Sequence, residues 1–330
     1  SIGTPRLSLN TIDRSATVTT PPPPSHPISA FAREVLFVYW ALLKVMVPAL
    51  LVVKALDMLG GNAVLAGWLS PVMTLVGLPD SLGLVWAATL LSNIYAGLVV
   101  FFALAADTPV TVAQATVLGT MMLVAHSLPV EGAVAKAAGV SWRATLLIRL
   151  VGAVVLGALL NLVYQGTGGL DRPLALPWQA PAVAPTLAGW ALDQLQTLAW
   201  ILVIIATLMA ILRLLRYLGI ERLIHAVLVP ALRLIGIRGE AANITVIGVT
   251  LGLTFGAGLL LKEVRSGALT RRDVFLTLSF LGLCHSLIED TLLILLMGAD
   301  LSGILWARLL FALVVIRLLS RLPLAHTARA

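Results

Sequence analysis

Two short stretches place a histidine, a serine and a carboxylate inside long apolar runs. Residues 123–134 read Leu-Val-Ala-His-Ser-Leu-Pro-Val-Glu-Gly-Ala-Val, and residues 282–293 read Gly-Leu-Cys-His-Ser-Leu-Ile-Glu-Asp-Thr-Leu-Leu. His126, Ser127 and Glu131 of the first recur as His285, Ser286 and Asp290 of the second, each 159 positions later, and Glu289 adds a further carboxylate. Histidine changes charge near neutral pH, so such a His/acid pair can carry a proton or hydrogen-bond a polar solute. Ser127 and Ser286 supply hydroxyls that also cover backbone groups freed at a helix break. Arg149 and Arg308, again 159 apart, are placed to neutralise the carboxylates or to hold an anionic substrate. A single polar group in a bilayer helix is adequately explained as an interhelical tie. A doubled set at one spacing points instead to a pathway, since ionisable groups are costly in hydrocarbon.

Residues five apart do not share a helix face, so His126 and Glu131 meet only if the chain breaks between them. Pro129 predicts a turn or kink there, because proline removes a helix hydrogen bond. Two histidines and three carboxylates also suit a transition metal. They are not at ligand spacing on one face, so no metal and no cofactor is assigned. Cys284, the single cysteine, excludes an internal disulfide and a cysteine zinc cage. Asn93, Tyr95, Gln114, Asn243, Thr245, Thr250 and Thr254 are further candidates to line a cavity.

The elements that must hold these groups are membrane helices. Of 330 residues, 59% are hydrophobic and 11% charged, against roughly a quarter charged in a soluble domain. The apolar runs are continuous and about 20 residues long, enough to cross as helices and unlike the alternation of a barrel strand. The expected fold is an all-α polytopic membrane protein. The net charge of +7 sits at helix ends and in loops, as the positive-inside rule requires, so the bilayer is the partner and nucleic acid is not. No P-loop, dinucleotide fingerprint, HExxH or GxSxG occurs. An enzyme is therefore not expected, and transport would draw on an ion gradient or an associated subunit.

Residues 1–30 form a polar, Pro-rich tail expected to be disordered, and 323–330 a short C-terminal tail. Full spans are expected at Phe31–Leu56, Leu82–Ala105 and Thr145–Tyr164, with a short tilted or interfacial piece at Ala63–Val76. The helix Val110–Ala125 and the segment Val130–Ala138 read as a broken or re-entrant hairpin with its tip at His126-Ser127. This first repeat, 31–164, is followed by a linker loop, 165–187, and a second repeat, 188–322. Gly60/Gly219, Pro71/Pro230, Gly77/Gly236, Gly97/Gly256 and Gly139/Gly298 all recur at the same offset. Loop charge reverses between copies: 58–83 carry no Lys or Arg and 213–240 are rich in Arg, whereas 136–149 are basic and 288–307 are not. Opposite orientation follows, with three crossings per half. Lys262, Arg265, Arg271 and Arg272 resist the scheme, since they would fall on the outer side.

The chain resembles the nucleoside recognition, or Gate, family of membrane proteins, which includes spore maturation proteins A and B and the membrane part of ferrous-iron permease B. The resemblance lies in Pro71–Pro79, the span containing Asn93-Ile-Tyr-Ala-Gly97, the His126 motif with Gly139 and Arg149, and their second copies. It implies a permease of two Gate units. The function expected is a secondary transporter in the bacterial inner membrane for a small polar solute, such as a nucleoside or organic anion. Proton coupling would run through the His/carboxylate pairs, both termini would be cytoplasmic, and a homo-oligomer or membrane partner subunit is allowed. The alternatives are a divalent-metal permease and a non-transporting membrane partner protein.

Overall fold

Residues 27–105, 108–176, 186–251, 259–260, 263–264 and 269–322 are described by a computed structural model of the chain. The tails up to residue 26 and from 323, linker residues 177–185, and Thr254, Gly256, Lys262 and Arg265 lie outside the described residues. The first half forms α1 (Pro27–Met58), α2 (Gly61–Leu75), α3 (Gly83–Leu91), α4 (Ile94–Ala105), α5 (Val112–Val124), α6 (Leu128–Ala137) and α7 (Trp142–Thr167). The second forms α8 (Leu187–Tyr217), α9 (Ile220–Leu234), α10 (Glu240–Leu251), α11 (Arg271–Leu283) and α12 (Glu289–Leu295). A π-helical turn, Ser302–Ala307, then leads into α13 (Arg308–Leu319).

Sequence recurrence becomes recurrence of backbone shape. α9 and α11 span the residues of α2 and α5 shifted by 159. Thr111 with Gln114 and Thr270 with Asp273 build the same reciprocal N-terminal cap on α5 and α11, satisfying donors that a helix start leaves open. Left-handed residues recur as Gly60/Gly219, Gly77/Gly236, Ser127/Ser286 and Gly139/Gly298.

Equivalent helices of the two copies run antiparallel. Lys54, near the end of α1, lies over the Trp190 ring near the start of α8. Near the start of α1, Glu34 forms an ion pair with Arg213 near the end of α8. Between them Tyr39 donates to the Leu198 carbonyl at 2.9 Å, residues again 159 apart. A contact between equivalent residues marks a pseudo-two-fold axis. An axis along the membrane normal would leave equivalent spans parallel, so this one lies in the membrane plane. The repeats are inverted.

The crossings differ from those expected. Leu82–Ala105 is no through-span: it breaks at Ser92-Asn93 and folds back as a hairpin of α3 and α4. The Ser81 and Thr108 hydroxyls meet at its mouth, 3.5 Å apart, and Gly97 of α4 packs on Thr89 of α3. Asn93 accepts from the Ala96 N–H at 2.9 Å and so starts the second arm. The His126 segment is the converse case, an interrupted span that carries straight on. α7 returns alongside it in register, Trp142 against Gly132, Arg149 against Val124 and Gly157 against Met121, and Val112–Ala137 forms one apolar stretch of 26 residues. Each half therefore crosses with its long first helix, its interrupted helix and its last helix. α2 is bent by 107° from the segment Asp80–Leu91, a 3-10 turn (Asp80–Leu82) running into α3.

The re-entrant hairpin also resolves the charge anomaly. α1 begins, α6 ends, α8 ends and α13 ends on one face, here the near face. Arg272 donates to the Ser320 carbonyl at 2.8 Å on that same face. Arg271 and Arg272 thus join Arg33, Lys136, Arg143, Arg213, Arg222 and Arg233 there. The far face has Asp80, Asp171 and Asp300 with Lys54 and Arg172 among the described residues.

The interrupted span Val112–Ala137 is 72% buried by protein, against 18 to 33% for the other long spans, so it forms the centre and the rest meet lipid. Helices approach closely at small residues: Gly119 faces Ile294, Gly152 faces Leu283, and Gly303 faces Thr116 and Thr120. Such crossings are how bilayer helices gain packing where the hydrophobic effect offers none.

Candidate functional site

The interruption is made by a serine rather than by Pro129. Ser127 has φ 48° and Ser286 φ 46°, a left-handed conformation that costs an ordinary residue roughly 1–2 kcal/mol. The second copy has Ile288 where the first has Pro129 and breaks in the same place, so proline is not the cause. Pro129 instead sits in the first turn of α6, where its missing N–H is harmless. The freed backbone is capped by the hairpin: Ser127 N–H donates to Thr89 O at 3.1 Å, and its hydroxyl to Ser92 O at 2.9 Å. In the second copy Leu287 N–H donates to Val249 O at 2.8 Å. Sequence reasoning missed Thr89 and Ser92, because they act through main-chain carbonyls.

The two breaks meet at the middle of the molecule. His126 Nε2 and His285 Nε2 are 2.9 Å apart, a second contact between equivalent residues and so a second point on the axis. Each ring is fixed by its other nitrogen, which faces a carbonyl one helical turn earlier: Met122 O at 2.9 Å for His126, Leu281 O at 2.6 Å for His285. A carbonyl only accepts, so Nδ1 is the protonated nitrogen in both rings. Glu131 Oε1 lies 3.2 Å from His126 Nε2 and 3.5 Å from His285 Nε2, and Asp290 Oδ2 lies 4.0 Å from both. His126 and His285 are 5% and 4% exposed. The core is closed to solvent.

Arg149 and Arg308 brace this core from within their helices, each fully buried. Both donate Nε to the last carbonyl before the break, Val124 O and Leu283 O, each at 3.0 Å. There the copies diverge. Arg149 forms an ion pair with Glu131, whereas Arg308 donates to the His285 carbonyl at 2.7 Å. Aspartate is one methylene shorter than glutamate, and Asp290 forms no ion pair with Arg308. Asp290 Oδ2, Arg308 Nη1 and Arg149 Nη2 are buried without hydrogen-bond partners among the described residues. Unmade hydrogen bonds of this kind are costly, and the free Asp290 oxygen, 4.0 Å from both Nε2 atoms, marks a place that can take a further group.

The structure thus joins His126, Glu131, His285, Asp290, Arg149 and Arg308 in one cluster. Ser127 and Ser286 shape the breaks beside it. Arg308 does not neutralise Asp290, contrary to the symmetric expectation. Glu289 turns to the Tyr95 hydroxyl at 3.5 Å, and Asn93 serves as the cap of α4. Gln114 caps α5 with Thr111 and donates to the Gly77 carbonyl across to the end of α2. Asn243 bonds locally to Glu240, and the Thr250 hydroxyl returns to its own helix while that of Thr245 also meets Thr277. Free Cys284 is buried next to His285 in sequence but outside the group of His126, His285 and Asp290, whose ligand atoms lie within 4.8 Å of one another. On the far face a cavity of about 290 Å³ is lined by Gln114, Asn161, Tyr164, Gln165 and Asp171. The polar stripe 161, 164, 165 at helical spacing is the sequence signal that would have found it.

No family model matches the chain, and no solved structure matches it. It is 30% identical over 297 residues to the uncharacterized membrane protein YvoD of Bacillus subtilis (strain 168), across 87% of this chain and 90% of that relative. At that identity and coverage, the chain belongs to the same family of membrane proteins as YvoD.

Proposed function

We propose that the protein is a secondary permease that carries a small charged or polar solute between two inverted repeats, with the His126–His285 core as its occluded site. The observation that carries this reading is the 2.9 Å contact of the two Nε2 atoms on the pseudo-two-fold axis. Broken helices meeting at the repeat interface are how inverted-repeat transporters build a site that either half can uncover by rocking. Irregular backbone at that depth is tolerated only where protein or a cavity surrounds it, and here the hairpin tip surrounds it. The far-face cavity supplies an approach: its wall at Val117 lies nine residues from His126, about 13 Å along a helix. The Gate-family resemblance of the two halves supports the same reading. The excess of arginine on the near face supports a cytoplasmic near face under the positive-inside rule, and with it a reading that puts both described ends inside and the site of action in the bacterial inner membrane.

The test is uptake into proteoliposomes of nucleosides, organic acids and divalent cations, each with and without an imposed pH gradient. One class should enter faster than into protein-free vesicles, and the paired substitution His126→Ala/His285→Ala should reduce that flux at least tenfold. Flux equal to protein-free vesicles for all three classes, or undiminished in the paired variant, contradicts the proposal.

A further inference from the structure

From the donor geometry of the core we infer that His126 Nε2, His285 Nε2 and Asp290 Oδ2 form a binding site for a divalent first-row transition-metal ion. The inference relies on the permease reading for what the ion does there, as cargo, and not for its binding.

Nδ1 of each histidine donates to a backbone carbonyl, so in a neutral ring Nε2 carries only a lone pair. Two lone pairs facing each other at 2.9 Å repel unless a cation lies between or beside them. Orientation of a histidine by a second-shell carbonyl is also how metal ligands are fixed. Asp290 Oδ2 is the independent second sign: a buried carboxylate oxygen, 4.0 Å from both nitrogens, with no hydrogen bond among the described residues.

The spacings suit one ion. Ligand atoms about 2.1 Å from a metal stand about 3.0 Å apart at right angles, about 3.4 Å at the tetrahedral angle and about 4.2 Å when opposite. The three donors span 2.9 to 4.0 Å, and Glu131 Oε1 adds negative charge at 3.2 and 3.5 Å from the nitrogens. Imidazole with carboxylate, and no thiolate, selects zinc, iron, manganese, cobalt or nickel in the divalent state rather than monovalent copper. Only three protein donors leave coordination positions open, which favours exchange over permanent retention. The difference between the copies has a use here. Glu131 is long enough to be held by Arg149, while the shorter Asp290 stays clear of Arg308 and keeps an oxygen for the ion.

Cobalt(II) is the probe, titrated into the purified full chain in detergent and followed by its visible d–d absorption. A saturable band displaced by zinc is expected. His126→Ala, His285→Ala and Asp290→Asn should each weaken binding at least about tenfold, and exposed His225→Ala should leave it unchanged. Asp290→Glu is the discriminating variant. It retains the carboxylate, but the added methylene lets it pair with Arg308, so binding should fall about tenfold while the metal-free melting temperature does not drop below the wild-type value. Wild-type protein without a cobalt band, or variants at His285 and Asp290 that bind as wild type does, overturns the site, with a proton shared by the histidines then accounting for their contact. The same preparations in proteoliposomes separate the two readings. Cobalt bound, with no flux of cobalt, nucleoside or organic acid, keeps the site and refutes the permease, whereas flux of another solute without cobalt binding refutes the site and keeps the permease.

Discussion

Arg149 shows how tightly the core depends on single atoms. It is 1% exposed and bonded to both Glu131 and the Val124 carbonyl. Arg149→Met strands a buried carboxylate and should destabilise the protein by about 3–5 kcal/mol, whereas Arg149→Met with Glu131→Leu should recover most of that loss. Thermal unfolding in detergent checks both, and equal losses in the single and double variants would contradict the buried pair. Ser127 offers a second case. Glycine relieves the left-handed strain at about the value of the lost hydroxyl bond, so Ser127→Gly should be nearly neutral. Ser127→Val loses the bond and adds a β-branched side chain at positive φ, and should be about 2 kcal/mol less stable than the glycine variant. The doubled His-Ser-Leu motif made His126, His285 and their carboxylates legible in the sequence. The unequal use of Glu131 and Asp290 was not legible, because it turns on one methylene measured against the position of an arginine 18 residues away in each copy.

At the scale of elements, hydropathy misassigned the role of two helices. Leu82–Ala105 is apolar enough to cross, and a sliding hydropathy reading records length and polarity but not depth. Its polar break at Ser92-Asn93 was the sole local sign of a fold-back. Pro129 was the more conspicuous residue and drew the turn to the wrong segment. A non-local sign was nevertheless present, since Arg271 and Arg272 fell on the wrong side until the hairpin returned the chain to the near face. The fold-back is directly testable. Cysteines at Ser81 and Thr108, whose hydroxyls are 3.5 Å apart, should cross-link under mild oxidation in a Cys284→Ser background. A continuous helix would hold those positions about 40 Å apart and give no cross-link. Gly97→Leu should destabilise the same hairpin by about 1–3 kcal/mol, since the new side chain meets Thr89 and Met122. A melting temperature unchanged from wild type would show that the arms do not pack as described.

The whole molecule is one three-crossing unit used twice, head to tail across the bilayer. Its duplication was visible in recurring glycines, prolines and motif residues, and its inversion in the reversal of loop charge. The meeting of both breaks on one axis was not visible, because only tertiary packing brings positions 126 and 285 together. In the proposed permease the inversion lets one half open the core to one face while its twin closes the other, so that proposal stands on it. Asn161 and Ser320 are equivalent positions, 159 apart, and the structure places them on opposite faces. The decisive measurement is labelling of Asn161→Cys and Ser320→Cys, in a Cys284→Ser background, with a membrane-impermeant maleimide on intact and permeabilised cells. The cysteine at 161 should react in intact cells and the one at 320 only after permeabilisation. Equal labelling of both from a single side would mean that the two copies are parallel and that the site as described does not exist.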